Sequence, residues 1–109
     1  MSRQINNNNN LNILQWNCQS LRPKLLNLEN ILIQQKIHIA ALCETWLEPN
    51  SELNLKNYKI YRHDRSDGYG GVALVVHHSI NGSCHLINRF SAGFQVLRIE
   101  LLNYDVIQN

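Results

Sequence analysis

The sequence predicts an α/β domain built on one βαβ unit, and three observations predict it. Residues 12–16, "NILQW", alternate apolar and polar side chains, the period of a half-buried strand that ends at Asn17. Leu21, Leu25, Leu28, Ile31 and Leu32 then recur at helical spacing. Residues 37–43, "IHIAALC", are apolar at nearly every position, the composition of a strand covered on both faces. Two strands joined by one helix over so short a span run parallel, with a right-handed crossover.

Each element has its local reason. Ser20 is the expected N-cap of the helix, and Pro23 falls in its first turn, where a missing N–H does no harm. The helix should run to about Lys36 with its apolar stripe on the sheet. Residues 48–57 carry turn chemistry, 58–62 ("YKIYR") form a short strand, and 63–71 ("HDRSDGYGG") a polar, glycine-rich connection. Residues 72–78 ("VALVVHH") read as another buried strand and 79–83 as a turn. Strands at 84–87 and 94–102 complete a meander, and 104–109 start one more. A chain that stops within a strand pattern is expected to be a truncated domain. Residues 1–10 fall within an asparagine-rich stretch with little to bury, expected to be a flexible tail; the domain proper is 11–109.

Composition narrows the function classes. A chain of 109 residues supports one modest core, and 44% hydrophobic with 17% charged residues is globular composition. A net charge of +2 is compatible with a nucleic-acid partner and far too small to argue for one. No apolar run is long enough for a membrane span or a secretory signal, so no membrane role and an intracellular location are expected. Three cysteines without a CxxC pair fit neither a zinc site nor a disulfide framework; Cys18 and Cys43 read as buried free thiols. His77 and His78, adjacent on a strand, are expected on opposite faces, which disfavours a shared metal site.

Chemistry concentrates at one edge. If the first two strands are parallel neighbours, Asn17 and Glu44 follow them onto the same edge, where open α/β sheets bind ligands. An amide and a carboxylate there can hold a hard, oxygen-loving cation, Glu44 as ligand and Asn17 as ligand or support. Spacing alone leaves two readings open: a placed ligand, or a solvated strand end.

The ordered segments "LQWNCQSLRPK" (14–24), "IAALCETWL" (39–47) and "YRHDRSDGYGGVALVV" (61–76) go further. They resemble the start of the apurinic-type endonuclease domain of non-LTR retrotransposons of the Jockey-like group, within the endonuclease/exonuclease/phosphatase superfamily. The resemblance implies the N-terminal half of a four-layer α/β/β/α sandwich of the DNase I-like kind. It further implies Mg2+ (or Mn2+) as cofactor, with Glu44 as metal ligand and Asn17 organising the same catalytic site. DNA is the implied substrate, nicked to prime a reverse transcriptase domain of the same element; that work is nuclear, and no small-molecule cofactor is implied. Gln19 stands where some branches of the superfamily carry an aspartate, which leaves Glu44 the clear carboxylate of this segment.

Around that pair, Arg65, Tyr69 and Gly70 are candidate substrate contacts. Arg65 can reach phosphate, Tyr69 and Trp46 can stack on bases or sugars, and Gly70 and Gly71 let backbone approach DNA. Each has a plainer alternative. Asp64 and Arg65 can form a solvated salt link, the glycines can serve a turn needing positive φ, and Trp46 can pack over the sheet edge. Arg22 and Lys24 are expected to be exposed. The resembling enzymes also carry "GDFN"-like and terminal Asp-His motifs, which this sequence does not contain, so negligible catalysis is expected of this chain alone. A phosphatase of the same superfamily and a non-catalytic binding remnant are the competing readings.

Overall fold

A computed structural model describes residues 11–87 and 96–101, with side chains described from 11 to 82. The asparagine-rich residues 1–10 and the strand expected at 104–109 lie outside the described residues. The chain begins with β1 (Ile13–Asn17), passes through a 3-10 turn at Arg22–Lys24 into α1 (Leu25–Gln34), and returns in β2 (Ile39–Cys43). There follow β3 (Tyr58–His63), β4 (Val72–His77), β5 (Gly82–Ile87) and β6 (Val96–Leu101).

The first four strands form one mixed sheet in the order β1-β2-β4-β3. The pair β1–β2 is parallel, as the βαβ reading requires, and pairs Asn17 with Cys43 at its C-terminal end. The hydrophobic strands β2 and β4 take the centre as antiparallel neighbours, Ala40 facing Val75 and Leu42 facing Ala73. Because side chains alternate faces along a strand, this register sorts the core into two. Ala40, Leu42, Ala73 and Val75 join Leu28, Leu32 and Ile37 on the helix side, and Ile39, Leu74 and Val76 cluster on the other. The continuous apolar runs thus have their physical reason: both faces of the central strands are covered.

Several sequence expectations are corrected. The strands expected at 84–87 and 94–102 are not among them: β5 and β6 pair antiparallel, as a meander requires, in a second sheet separate from the first. Ser20 does not cap the helix; its φ of +86° sets it in a left-handed turn. Lys24 occupies the N-cap of α1 without a side-chain cap, and Pro23 falls in the 3-10 turn that precedes it. Ile31 is 40% exposed, off the buried stripe of Leu28 and Leu32.

At the C-terminal end of α1, Lys36 takes φ +51°, its N–H donates to the Ile33 carbonyl, and the Ile37 N–H donates to the Leu32 carbonyl. That is a Schellman ending with lysine in the position glycine prefers. Asn12, the last asparagine of the N-terminal stretch, secures it by donating from Nδ2 to the carbonyls of Gln35 and Lys36. His77 and His78 are not on opposite faces. The chain leaves β4 after His77, and the two rings meet edge to face at 4.4 Å.

Candidate functional site

Backbone hydrogen bonds carry the β1–β2 pairing beyond the strands and gather three loops at one sheet edge. Cys18 N–H donates to the Cys43 carbonyl at 2.8 Å, Ser20 to Glu44 at 3.0 Å, and Leu21 to Thr45 at 3.0 Å. From the other side, Thr45 N–H donates to Gly71 (3.3 Å) and Trp46 N–H to Gly70 (2.8 Å), which ties the same segment to the lead-in of β4. Lys24 is half-buried, against expectation, because its Nζ donates to the Cys18 and Gln19 carbonyls and closes the β1 loop. Arg22 is exposed, as expected.

Asn17 and Glu44 therefore leave parallel, adjacent strands at the same edge, Asn17 exposed and Glu44 half-buried. Glu44 (φ +54°) and Trp46 (φ +52°) flank Thr45 in left-handed backbone, and Gln19 (φ +45°) and Ser20 lie opposite. Such conformations are unfavourable for non-glycine residues and persist where surrounding bonds over-determine them. Here the inter-loop hydrogen bonds do so. One result is that the Trp46 indole Nε1–H donates to Glu44 Oε1 at 2.9 Å.

The other candidate contacts fall beside this pair. Tyr69 is 61% exposed and meets the Trp46 ring edge to face, centroids 5.4 Å apart. Its backbone N–H donates to Asp67, and that hydrogen bond, with Arg65 adding to it, holds the Asp67 carboxyl below the usual range. Arg65 bonds Asp67 at 2.6 Å rather than Asp64, so the expected Asp64–Arg65 link is corrected. Gly70 (φ +63°) is buried under Arg65, whose Cδ would lie 2.5 Å from an added Cβ.

Two features of the site were not found in the sequence. Thr45 is wholly buried, its Oγ1 has no hydrogen-bond partner among the described residues, and an added Cβ on Gly71 (φ +88°) would meet that oxygen at 2.6 Å. The second is Arg62, which holds Asp64 through Nε (3.0 Å) and Nη2 (2.7 Å) and also bonds the carbonyls of Glu48 and Ser51. It anchors the loop after β2 to the exit of β3. The Arg-x-Asp spacing in extended chain was the available signal, since it sets both side chains on one side.

The donor set fits a hard cation of the magnesium type in part. Mg2+ takes one or two carboxylates, keeps several waters, and fills its shell with substrate oxygens. Glu44 supplies one carboxylate, its Oε2 without a hydrogen-bond partner among the described residues, and Asn17 can supply an amide oxygen. Among the described residues there is no group of three or more His, Cys, Asp or Glu able to form a closed protein cage. A cavity of about 400 Å³ lies elsewhere. It is lined by Leu32, Lys36, His38, Lys56, Tyr58 and His77, at the opposite end of the sheet.

Fold and edge together describe an α/β protein with oxygen-donor side chains at the C-terminal ends of a parallel strand pair. The chain belongs to the endonuclease/exonuclease/phosphatase family, whose model matches residues 14–107. Its fold is similar to the catalytic domain of APE2 from Xenopus laevis, with 25% identity and a TM-score of 0.55. The match covers 74% of this chain and 29% of that domain. No curated protein matches the chain.

Proposed function

We propose that this chain forms part of a metal-dependent endonuclease that hydrolyses DNA phosphodiester bonds, with Glu44 and Asn17 holding Mg2+ or Mn2+. The observation that supports the reading most is the parallel β1–β2 register, which brings both residues to one edge and is extended by the Cys18–Cys43 and Ser20–Glu44 backbone bonds. Nucleases of this family generally use divalent metals. When bound there, the cation would neutralise charge on phosphoryl oxygens and acidify an attacking water.

The chain's own residues then have separate tasks. Glu44 would hold the cation, with Asn17 as the second oxygen donor at the same edge, and Tyr69 and Arg65 are the candidate DNA contacts beside them. Gly70 shapes that approach by giving Arg65 room. The finer reading, an enzyme of a Jockey-like non-LTR retrotransposon that nicks target DNA for a linked reverse transcriptase, draws its support from the ordered motifs "LQWNCQSLRPK", "IAALCETWL" and "YRHDRSDGYGGVALVV".

Thermal melts with and without magnesium test the metal reading. The melting temperature should rise with Mg2+ in the wild type by mass action, because only the folded edge assembles the ligands. It should not rise in Glu44→Gln. An unchanged wild-type melt would favour a non-catalytic remnant.

A further inference from the structure

Trp46 and Tyr69 are both large apolar side chains left in solvent, 37% and 61% exposed, beside the candidate cation ligand. Their planes stand at 75°, so the edge-to-face pair forms a corner, and both rings keep exposed surface outside that contact. The corner is held in place from below. Trp46 is fixed by its N–H to the Gly70 carbonyl and by the indole bond to Glu44, and Tyr69 by its N–H to Asp67, which Arg65 holds in turn. A rigid aromatic surface loses little conformational entropy when a flat partner lands on it.

The partner must be flat, apolar on its faces, and attached to an anion close enough to meet a cation on Glu44. A nucleobase one sugar away from a phosphate meets all three conditions. Inside a duplex its faces are covered by its neighbours, so the base that docks must be unstacked, either in a single strand or extruded.

We propose that the Trp46–Tyr69 corner receives the unstacked base next to the scissile phosphate, and that the indole N–H couples this event to cation binding at Glu44. This rests on the metal reading above and deepens it. A base resting on the indole would restrain the ring, the ring would restrain Glu44 Oε1, and the carboxylate would be held ready for the cation. Coupling of this kind is reciprocal: the base tightens the cation by the factor with which the cation tightens the base.

The test is Mn2+ affinity of the full chain alone, with a short oligothymidylate, and with an abasic oligonucleotide of the same length. The abasic strand measures the coupling that phosphate alone supplies. Oligothymidylate should tighten Mn2+ beyond the abasic strand, and Trp46→Phe, which keeps a ring and loses the N–H, should remove that excess. Tyr69→Ala, at an exposed position, should weaken oligothymidylate by at least about fivefold.

Equal tightening by the two strands, an excess that survives Trp46→Phe, or no effect of Tyr69→Ala on base affinity would each overturn the inference while leaving the metal reading standing. Absence of Mn2+ binding under every condition would overturn both.

Discussion

Cys18 and Cys43, which flank the two candidate ligands in sequence, both turn their thiols toward the Trp16 carbonyl, at 4.0 Å and 3.8 Å. Burial first, and then the neighbouring Cys43, push the Cys18 thiol up from 9.0 to about 11. The folded protein thus holds this proton after an unfolded chain has released it. Stability from this group is complete below pH 9.0 and is lost as pH rises toward about 11. At pH 8 to 9, iodoacetamide should alkylate Cys18 much more slowly than Cys43, readable by peptide mass spectrometry; equal rates would show that the β1 loop opens freely. The free thiols were legible from the cysteine count, and both are free and at least half-buried. The buried, unpartnered Thr45 hydroxyl was not legible, because nothing in "ETWL" marks which side of the turn faces the protein. Its constraint on Gly71 can be measured directly. Gly71→Ala should destabilise the fold by about 2–3 kcal/mol in urea melts, from left-handed strain together with the contact on Thr45. A Thr45→Ala background should recover the steric share only.

At the scale of elements, the βαβ unit was readable because its two periods are unambiguous: alternation in β1 and a 3.6-residue stripe in α1. The apolar runs of β2 and β4 announced burial on both faces, and the two-sided core bears that out. Pairing partners were another matter. The sheet order β1-β2-β4-β3 and the separate β5–β6 sheet follow from long-range register, which local pattern does not encode. The helix ends were misread for a physical reason. The chain uses tertiary bonds in place of cap residues, Lys24 on the β1 loop at one end and Asn12 on the last carbonyls at the other. The C-terminal end also keeps lysine in a left-handed position that glycine occupies at no steric penalty. Lys36→Gly, at this exposed position, should therefore stabilise the protein by about 0.5–1 kcal/mol in denaturant titrations. A loss of stability would mean that the lysine side chain contributes more than its backbone strain removes.

The whole molecule has two chemically distinct ends. One edge gathers Asn17, Glu44, Trp46 and Tyr69 through backbone bonds among three loops; the other holds the cavity lined by Lys36, His38, Lys56 and His77. The cavity end offers apolar walls and histidines, whereas the first end offers the oxygen donors. Sequence order pointed to the first end because residues at the C-terminal ends of two parallel strands must emerge at one edge. It did not disclose the indole–carboxylate bond, since that depends on left-handed backbone at both Glu44 and Trp46. The most direct test is a substoichiometric Mn2+ titration followed by paramagnetic broadening in a ¹H–¹⁵N correlation spectrum of the labelled chain. Broadening should centre on the amides of Asn17, Gln19, Glu44, Trp46 and Gly70, spare His38 and His77, and vanish in Glu44→Gln. Broadening that centres on the two histidines, or that persists at the first edge in Glu44→Gln, would contradict the account.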